Sequence, residues 1–418
     1  MTEELPLLAY VYHPRSFGVH GLVAAAQGRC RLLWVIDTSD DEVVSMARLL
    51  RRFGDCVDVA GLSLMAASDA VAVYHPEHLL ALADDCLVFA SKLAQQLNIR
   101  FTTPEVAQRF TDKHTQRVAL AQGGLVVPRQ WVIDPHVEEV FDEISRETRF
   151  PAVLKPRRGE ASRDTFPVTS FVALQELWDS EGFNNSDRMF VLEEYIPDAS
   201  EPLAGREFAG YVSVETVVQG FKIRHLAING RMPPAFPFRE TGFFIPAALD
   251  DELASAVLDV AAQGARALHV QDGCLHTEIK LTTSGPQIIE VNGRIGGGVP
   301  EMLLASTGID LMALAFDIAV GNEVEMDLPV PSPQRLAYLF YVQSPPEMRR
   351  VTSVEGLEKL REVEGVEEIV LNRGPGRNVS WRDGNHGHVF SVLGTTSNHE
   401  ELRCINALIS RLVRIEGS

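Results

Sequence analysis

The 418-residue chain is short of cysteine, of long apolar runs and of positive charge, and each shortage excludes something. Its five cysteines (Cys30, Cys56, Cys86, Cys274, Cys404) are scattered, odd in number and contain no Cys-x-x-Cys. That pattern reads as reduced thiols in a cytoplasmic protein. No apolar run approaches ~18 residues, so no membrane span is expected. The start, Thr2-Glu3-Glu4, lacks a basic segment, so no secretory signal is expected either. Lys and Arg number 38 against 57 Asp and Glu, a net charge of −19. That balance speaks against nucleic acid, whose binding proteins carry a basic footprint. A local basic cleft for a nucleotide such as ATP remains compatible with it. No Gly-x-Gly-x-x-Gly follows the first strand, which removes support for a dinucleotide-binding half. Internal repeats and low-complexity tracts are absent.

What is present is a core and an alternating pattern. Hydrophobic residues make up 45% of the chain, ordinary for a globular protein, and the length fits two to four domains at about 150 residues each. Strands are expected at Leu7 to Tyr12, Arg31 to Asp37, Cys56 to Ala60, Ala70 to Val73 and Arg100 to Thr103. Helical patterns lie between them, one opened by Asp40-Asp41-Glu42. Such alternation implies a parallel α/β sheet over residues 1–110. Thr111 to Gln122 reads as a helix stopped by Gly123-Gly124, and Phe150 to Pro156 and Met189 to Tyr195 as strands. Ala199 to Gly205 reads as a flexible insertion. Tyr211 to Val218 and Lys222 to Asn229 form a hairpin, and Asp250 to Leu268 and Pro300 to Val320 are helices. The proline-rich Leu328 to Pro333 marks a boundary before a small α+β module at 331–418.

One segment, Cys274 to Gly298, carries most of the chemistry. It reads as two strands joined by a Thr283-Ser284-Gly285 loop. His276, Glu278 and Lys280 share one face of the first strand, opposite Leu275, Ile279 and Leu281. In the second strand Ile288, Glu290 and Asn292 share a face, and Ile289 and Val291 take the other. A three-residue loop sets Glu278 opposite Glu290, with Cβ atoms roughly 5 Å apart. Two carboxylates that close need a proton or a cation between them. Two carboxylates and an amide are hard oxygen donors suited to Mg²⁺, which takes phosphate oxygens as further ligands. The plainer alternative is a salt-bridge ladder with Lys280 and Arg294, and the spacing favours the metal.

Elsewhere the signals are weaker alone. Lys155 ends a strand beside a polar loop, Arg157 to Arg163, whose N–H groups suit phosphate although no Walker A motif is present. Lys113 sits on a helix. Glu193-Glu194-Tyr195-Ile196 reads either as a hinge that meets adenine or as an exposed acidic strand end. The aromatic stretch Arg231 to Pro246 fits a substrate pocket or a buried loop equally well. His386-Gly-His388 lacks nearby cysteine or acid partners and reads as surface rather than zinc ligands.

Taken in order, these pieces resemble the ATP-grasp superfamily over most of the chain. Asp112-Lys113 resembles its first ATP lysine. Val153-Leu-Lys155-Pro-x-x-Gly159-x-Ala161-Ser162-Arg163 resembles its second lysine and mobile phosphate loop. Val191 to Ile196 resembles its adenine hinge. His276-Thr-Glu-Ile-Lys280, Glu290-Val-Asn-Gly-Arg294 and Glu240-Thr-Gly242 are similar to the bacterial L-amino-acid (dipeptide) ligase and carboxylate–amine ligase group. The resemblance implies an ATP-grasp fold, α/β and α+β in several domains. These are a pre-ATP-grasp domain at 1–110, linker helix and lid at 111–205, catalytic subdomain at 206–330 and the C-terminal module at 331–418.

It also implies an ADP-forming ligase that joins a carboxylate to an amine through an acyl phosphate, as in peptide-forming natural-product enzymes. Its cofactors are ATP with Mg²⁺ or Mn²⁺, and its partners are small molecules, with a homodimer allowed. The implied ATP contacts are Lys113, Lys155, Gly159, Ala161, Ser162, Glu193, Glu194 and Ile196. Glu278, Glu290 and Asn292 are the implied metal ligands. Arg294, His276 and Lys280 are the implied catalytic residues, and Glu240, Gly242, Arg294, Gly297 and Gly298 the implied substrate contacts. The ribose acid of the group is replaced here, which leaves Glu201 or Glu207 for it, and Phe243 stands where a histidine is common. The alternatives are a purine- or carboxylation-type ATP-grasp enzyme and a nucleotide-binding module without turnover.

Overall fold

The computed structural model describes residues 5–137, 139–199 and 201–418. The strands Leu7–Val11, Arg31–Ile36, Asp55–Asp58 and His78–Leu80 form a parallel sheet in the spatial order third, second, first, fourth. Helices Val19–Ala26, Asp41–Leu50 and Leu64–Ala72 make the crossovers that parallel pairing needs. Both faces are covered, Tyr10 and Trp34 on one side, Ala9, Leu33 and Val35 on the other. Two expected strands are absent. Ala70 to Val73 lies in and just past the helix Leu64–Ala72, which Ser63 caps by accepting from Ala66 N and which buries Ala67 and Val71, four residues apart. Arg100 to Thr103 is a connection whose Thr103 caps the helix Pro104–Thr111. The short strand His78–Leu80 was not apparent in the sequence pattern.

Residues Gln130–Ile133, Phe190–Glu194, Ala152–Pro156 and Phe166–Val168 make a four-stranded antiparallel lid sheet in that order. Its own aromatic core holds Trp131, Trp178, Phe183 and Phe190. Of the expected insertion at 199–205, Ser200 lies outside the described residues.

An eight-stranded sheet forms the centre. Its order is Gly285–Asn292, Gly273–Thr282, Tyr211–Gln219, Lys222–Arg231, Gly242–Ile245, Leu336–Gln343, His388–Thr396, Val366–Leu371. Strands of the C-terminal stretch are therefore hydrogen-bonded into the central sheet, through Gly242–Ile245. The single helix expected over Pro300 to Val320 is two, Val299–Thr307 and Leu311–Ala319, broken at Gly308 in a left-handed conformation. They meet at 111° and bury Val299, Leu303 and Phe316 in the core. Among the described residues no single helix is long and apolar enough to cross a membrane.

The hairpin Gly273–Thr282/Gly285–Asn292 pairs Glu278 with Glu290 as expected, by a different route. The turn has two residues, with Thr282 paired to Gly285, and a bulge after Glu278 restores the register. The extra residue is Ile289. Ile288 accordingly points into the core, 1% exposed, while Ile289 joins Glu290 on the cleft, which corrects the expected alternation of this strand. Ile288→Ala should therefore lower unfolding free energy by about 2–5 kcal/mol, and Ile289→Ala by clearly less. Equal losses in urea titrations would place the bulge elsewhere.

Candidate active site

A cavity of about 720 Å³ opens between the lid, the central sheet and the N-terminal sheet. Although the chain is strongly acidic, Arg15, Lys113, Arg117, Lys155, Arg231 and Arg294 all line it. A cavity this size accepts a nucleotide with a small second ligand.

The helix Lys113–Gln122 begins at its floor, capped by Asp112, whose carboxylate accepts from Thr115 N. The same carboxylate pairs with Arg157 Nε at 2.8 Å, so the helix start and the phosphate loop share one anchor. Burial raises Asp112's pKa, but Arg157 and the Thr115 N–H outweigh it and hold the group below the ordinary carboxylate range. Lys113 Nζ lies 2.9 Å from Glu290 Oε1 and donates to Gly159 O at 2.7 Å. Deeper in the same helix, Gln116 bonds both ways with the backbone of Val291. Arg117 donates to Ile288 O at 3.3 Å and also to Ile289 O, so it satisfies the carbonyls at the bulge.

Arg117 also meets Glu193, Nε to Oε1 at 2.9 Å, while Lys155 Nζ sits 2.6 Å from Glu193 Oε2. Burial pushes Glu193 up, and the two cations more than reverse that, to about 2. Its share of stability is therefore present above about pH 4.5 and lost as pH falls toward 2. Lys155 is pulled down by burial, only partly offset by Glu193. One carboxylate shared by two cations leaves this end short of negative charge, which suits a phosphate. Glu193 is thus held as an anion, with one cation on each of its oxygens, at the wall of the cavity. Glu194 Oε1 accepts from Arg149 N at 2.9 Å, and Glu194, Tyr195 and Ile196 all line the cavity.

The opposite imbalance holds at the hairpin. Glu278 is raised by burial despite Arg231, whose Nη2 is 3.8 Å away. Glu290 is pushed up by burial and brought below its ordinary range by Lys113 and Lys155. Asn292 donates its amide nitrogen to His276 O at 3.3 Å and lines the cavity. Among the described residues no three His, Cys, Asp or Glu side chains cluster as a metal set by themselves. Two carboxylates and an amide on one face fit an ion that keeps water and phosphate oxygens, as Mg²⁺ does.

Arg231 is fully buried. It pairs with Glu240 and donates to His276 Nε2 at 2.9 Å, and its guanidinium stands over Phe243 and Tyr211. Because arginine only donates, His276 accepts at Nε2 and donates from Nδ1 to Glu215 Oε1 at 2.6 Å. Both ring nitrogens are thus occupied. Lys280 lies at the hinge end, ion-paired with Asp198 and 3.2 Å from the Tyr195 hydroxyl. Arg294 Nε is held by Asp84 of the N-terminal sheet region at 2.8 Å. Burial lowers the guanidinium pKa, and Asp84 with Glu160 raises it beyond its ordinary value.

The cavity brings together the expected Gly159, Ala161, Ser162, Ile196, Glu240 and Gly297, as well as the residues above. Glu201 does not line it, and Glu207 pairs instead with Arg403 at 2.7 Å. Gly242 and Gly298 pack behind it against Phe340 and Leu339. Of the stretch Arg231 to Pro246, Phe243 faces the cavity and Phe244 is buried in the C-terminal core. His386, exposed as expected, and His388, half-buried, both stand at the cavity. Asp84, Asp198, Arg231 and Asn385 were not singled out; Asp84 and Asn385 meet their partners Arg294 and Glu240 from far away in sequence. Only Arg231, beside the aromatic stretch already noted, offered any local sign.

No family model matches the chain. The L-amino acid ligase of Bacillus licheniformis superposes with a TM-score of 0.78 at 20% identity, over the whole of both chains. The uncharacterised protein y4rH of Sinorhizobium fredii is 25% identical over 364 residues, 84% of this chain and 67% of that one. Alanine–anticapsin ligase of Bacillus subtilis is 22% identical over 253 residues, 57% of this chain and 52% of the other. The chain thus spans between about half and two thirds of the length of these curated relatives. The fold is that of the ATP-grasp superfamily. Within it the chain resembles the L-amino-acid ligase and carboxylate–amine ligase group.

Lys155→Ala should weaken ATP binding roughly tenfold to hundredfold, the value of a buried charge-assisted bond. Isothermal calorimetry checks this, and unchanged affinity would make Lys155 a partner of Glu193 alone.

Proposed function

We propose that the chain is an ATP-dependent carboxylate–amine ligase that releases ADP and phosphate, acting on an amino acid or other small carboxylate and an amino acid or peptide amine. The observation that carries this is one cavity holding Lys113, Lys155, Glu278, Glu290, Asn292 and Arg294 together, with a cation-rich and an anion-rich end side by side. Its resemblance to ligases of amino acids supports the substrate class.

Glu278, Glu290 and Asn292 would hold Mg²⁺, which supplies charge neutralisation on the phosphate oxygens. Lys155 and Lys113 bind phosphate from two sides, and the N–H groups of 159–162 cover the terminal phosphate. The hinge backbone at Glu194 to Ile196 reads adenine. Asp198, on the cavity beside Lys280, takes the ribose role in place of Glu201 or Glu207. Arg294, oriented by Asp84, faces the transferring phosphoryl group and the oxyanion that follows.

A substrate carboxylate oxygen bonds to the γ-phosphorus as the bond to ADP breaks. The amine then attacks the acyl carbon, phosphate leaves with the bonding pair, and the nitrogen loses a proton. Arg231 and Glu240, with Phe243 and Tyr341, form the substrate wall. His276, with both ring nitrogens engaged, positions Arg231. The lid at 111–205 excludes water from the acyl phosphate, and 1–110, 206–330 and 331–418 are its three counterparts around the site.

Hydroxylamine offered with the correct acid should yield a hydroxamate and ADP, read by ferric colour and nucleotide chromatography. AMP and pyrophosphate instead would make the chemistry adenylation. Glu290→Ala should abolish Mg²⁺-dependent turnover in a protein with unchanged circular dichroism, and retained activity there would remove the metal assignment.

A further inference from the structure

The turn Trp381–Gly387 has no part in the chemistry above, yet it touches both halves of the site. Asn385 N donates to Ala161 O at 2.9 Å, on the phosphate loop. Asn385 Oδ1 accepts from Glu240 N at 2.8 Å, on the substrate side. Its own carbonyl accepts from His388 Nδ1 at 2.8 Å, and the His388 ring rests on Tyr341 with centroids 4.7 Å apart. One residue therefore uses its N–H, its carbonyl and its side chain on three separate elements.

The surroundings reinforce the contact. Gly384 has φ +60°, and a Cβ there would stand 2.0 Å from Ala161 O, so only glycine lets the two backbones approach this closely. Trp381 sets its ring edge-on to Phe166 of the lid, 5.8 Å between centroids, and leans on Phe236 of the substrate stretch at 6.3 Å. Arg382 makes a forked pair with Glu181 of the lid, Nη2 to Oε1 at 2.7 Å. The phosphate loop itself carries Ala161 and Ser162 at φ 58° and 56°, conformations that side chains with a Cβ rarely adopt. Backbone of this kind persists only where its neighbours determine it. The neighbour here is the turn.

We propose that Asn385 is a positioning residue that holds the phosphate loop and the Arg231–Glu240 substrate wall in one register, so that the loop closes over phosphate only when the substrate side is in place. This rests on the ligase reading above. The phosphate loop is thereby tied, from the far end of the chain, to the residue two positions before the strand Gly242–Ile245 of the central sheet. A loop that closes without this register would admit water, and ATP would be consumed without amide formation.

The test compares Asn385→Ala, which removes the acceptor, with Asn385→Asp, which keeps it. Trypsin can cut the phosphate loop after Arg158 or Arg163. With adenylyl imidodiphosphate and Mg²⁺ bound, Asn385→Ala should be cut roughly threefold faster or more, at unchanged Tm, because the loop opens locally. Asn385→Asp should be cut at the rate of the parent protein. In turnover, Asn385→Ala should release more than one ADP per amide, with kcat down roughly tenfold and KM for ATP little changed. If Asn385→Ala does not fold, Arg382→Ala cuts the tie to Glu181 and should accelerate the same cleavage. Parental cleavage and coupling in Asn385→Ala, or equal acceleration in Asn385→Asp, would overturn the proposal. If the parent protein released no ADP with any acid–amine pair, the ligase reading would fail, while the cleavage comparison would still decide whether Asn385 holds the loop.

Discussion

The buried guanidinium of Arg117 is the contact on which the site depends. It reaches three elements at once: the carbonyls at the bulge in the strand Gly285–Asn292, the carboxylate of Glu193 in the lid, and through that carboxylate Lys155. A bulge leaves backbone groups without ladder partners, and a buried carbonyl without a donor is costly. Arg117 supplies the donors. The bulge in turn keeps Glu290 and Asn292 on the cavity while Ile288 and Val291 stay in the core. Loss of the arginine would unbalance the bulge and leave Glu193 with a single cation, so lid and hairpin would lose their common reference together.

Charge organises the cavity in a similar way. Around Glu193 there are two cations for one anion, and around Glu278 burial holds a carboxyl above its ordinary range. Neither imbalance would be tolerated in an ordinary core, where buried charges are paired. They are complementary, since under the proposed function a phosphate would meet the first and a hard cation the second. Lys113 stands between them, on Glu290 and on the loop carbonyl of Gly159. An acidic chain thus builds a cation-lined cavity by directing Lys and Arg side chains inward from separate segments of sequence.

Strand and helix periodicity carried much of the fold, and it failed where periodicity is short or interrupted. Ala70 to Val73 is apolar enough for a strand, but Ser63 begins a helix seven residues earlier. Pro300 to Val320 keeps one apolar period across Gly308, where the backbone turns by a left-handed residue. The hairpin illustrates both sides. Glu278 faces Glu290 as its spacing required, while the shorter turn and the bulge that make this so left no trace in the residue pattern. Lys113, Lys155, Glu278, Glu290, Asn292 and Arg294 were legible because each belongs to a local motif.

The sequence by itself determined the fold class, the hairpin that sets Glu278 opposite Glu290, and the lysines Lys113 and Lys155 that begin or end elements beside the loop at 157–163. These depend on periods of two and 3.6 residues and on neighbours a few positions apart, which a linear chain records. Only the tertiary structure decided that Glu193 is an ion-pair anion, that Asp198 rather than Glu201 or Glu207 reaches the cavity, and that His386, His388 and Asn385 return to it from the far end of the chain. Those roles are set by burial and by partners up to 210 positions away, as between Asp84 and Arg294. Electrostatics and packing act through space, so a residue's charge state and purpose are fixed by what folding brings beside it.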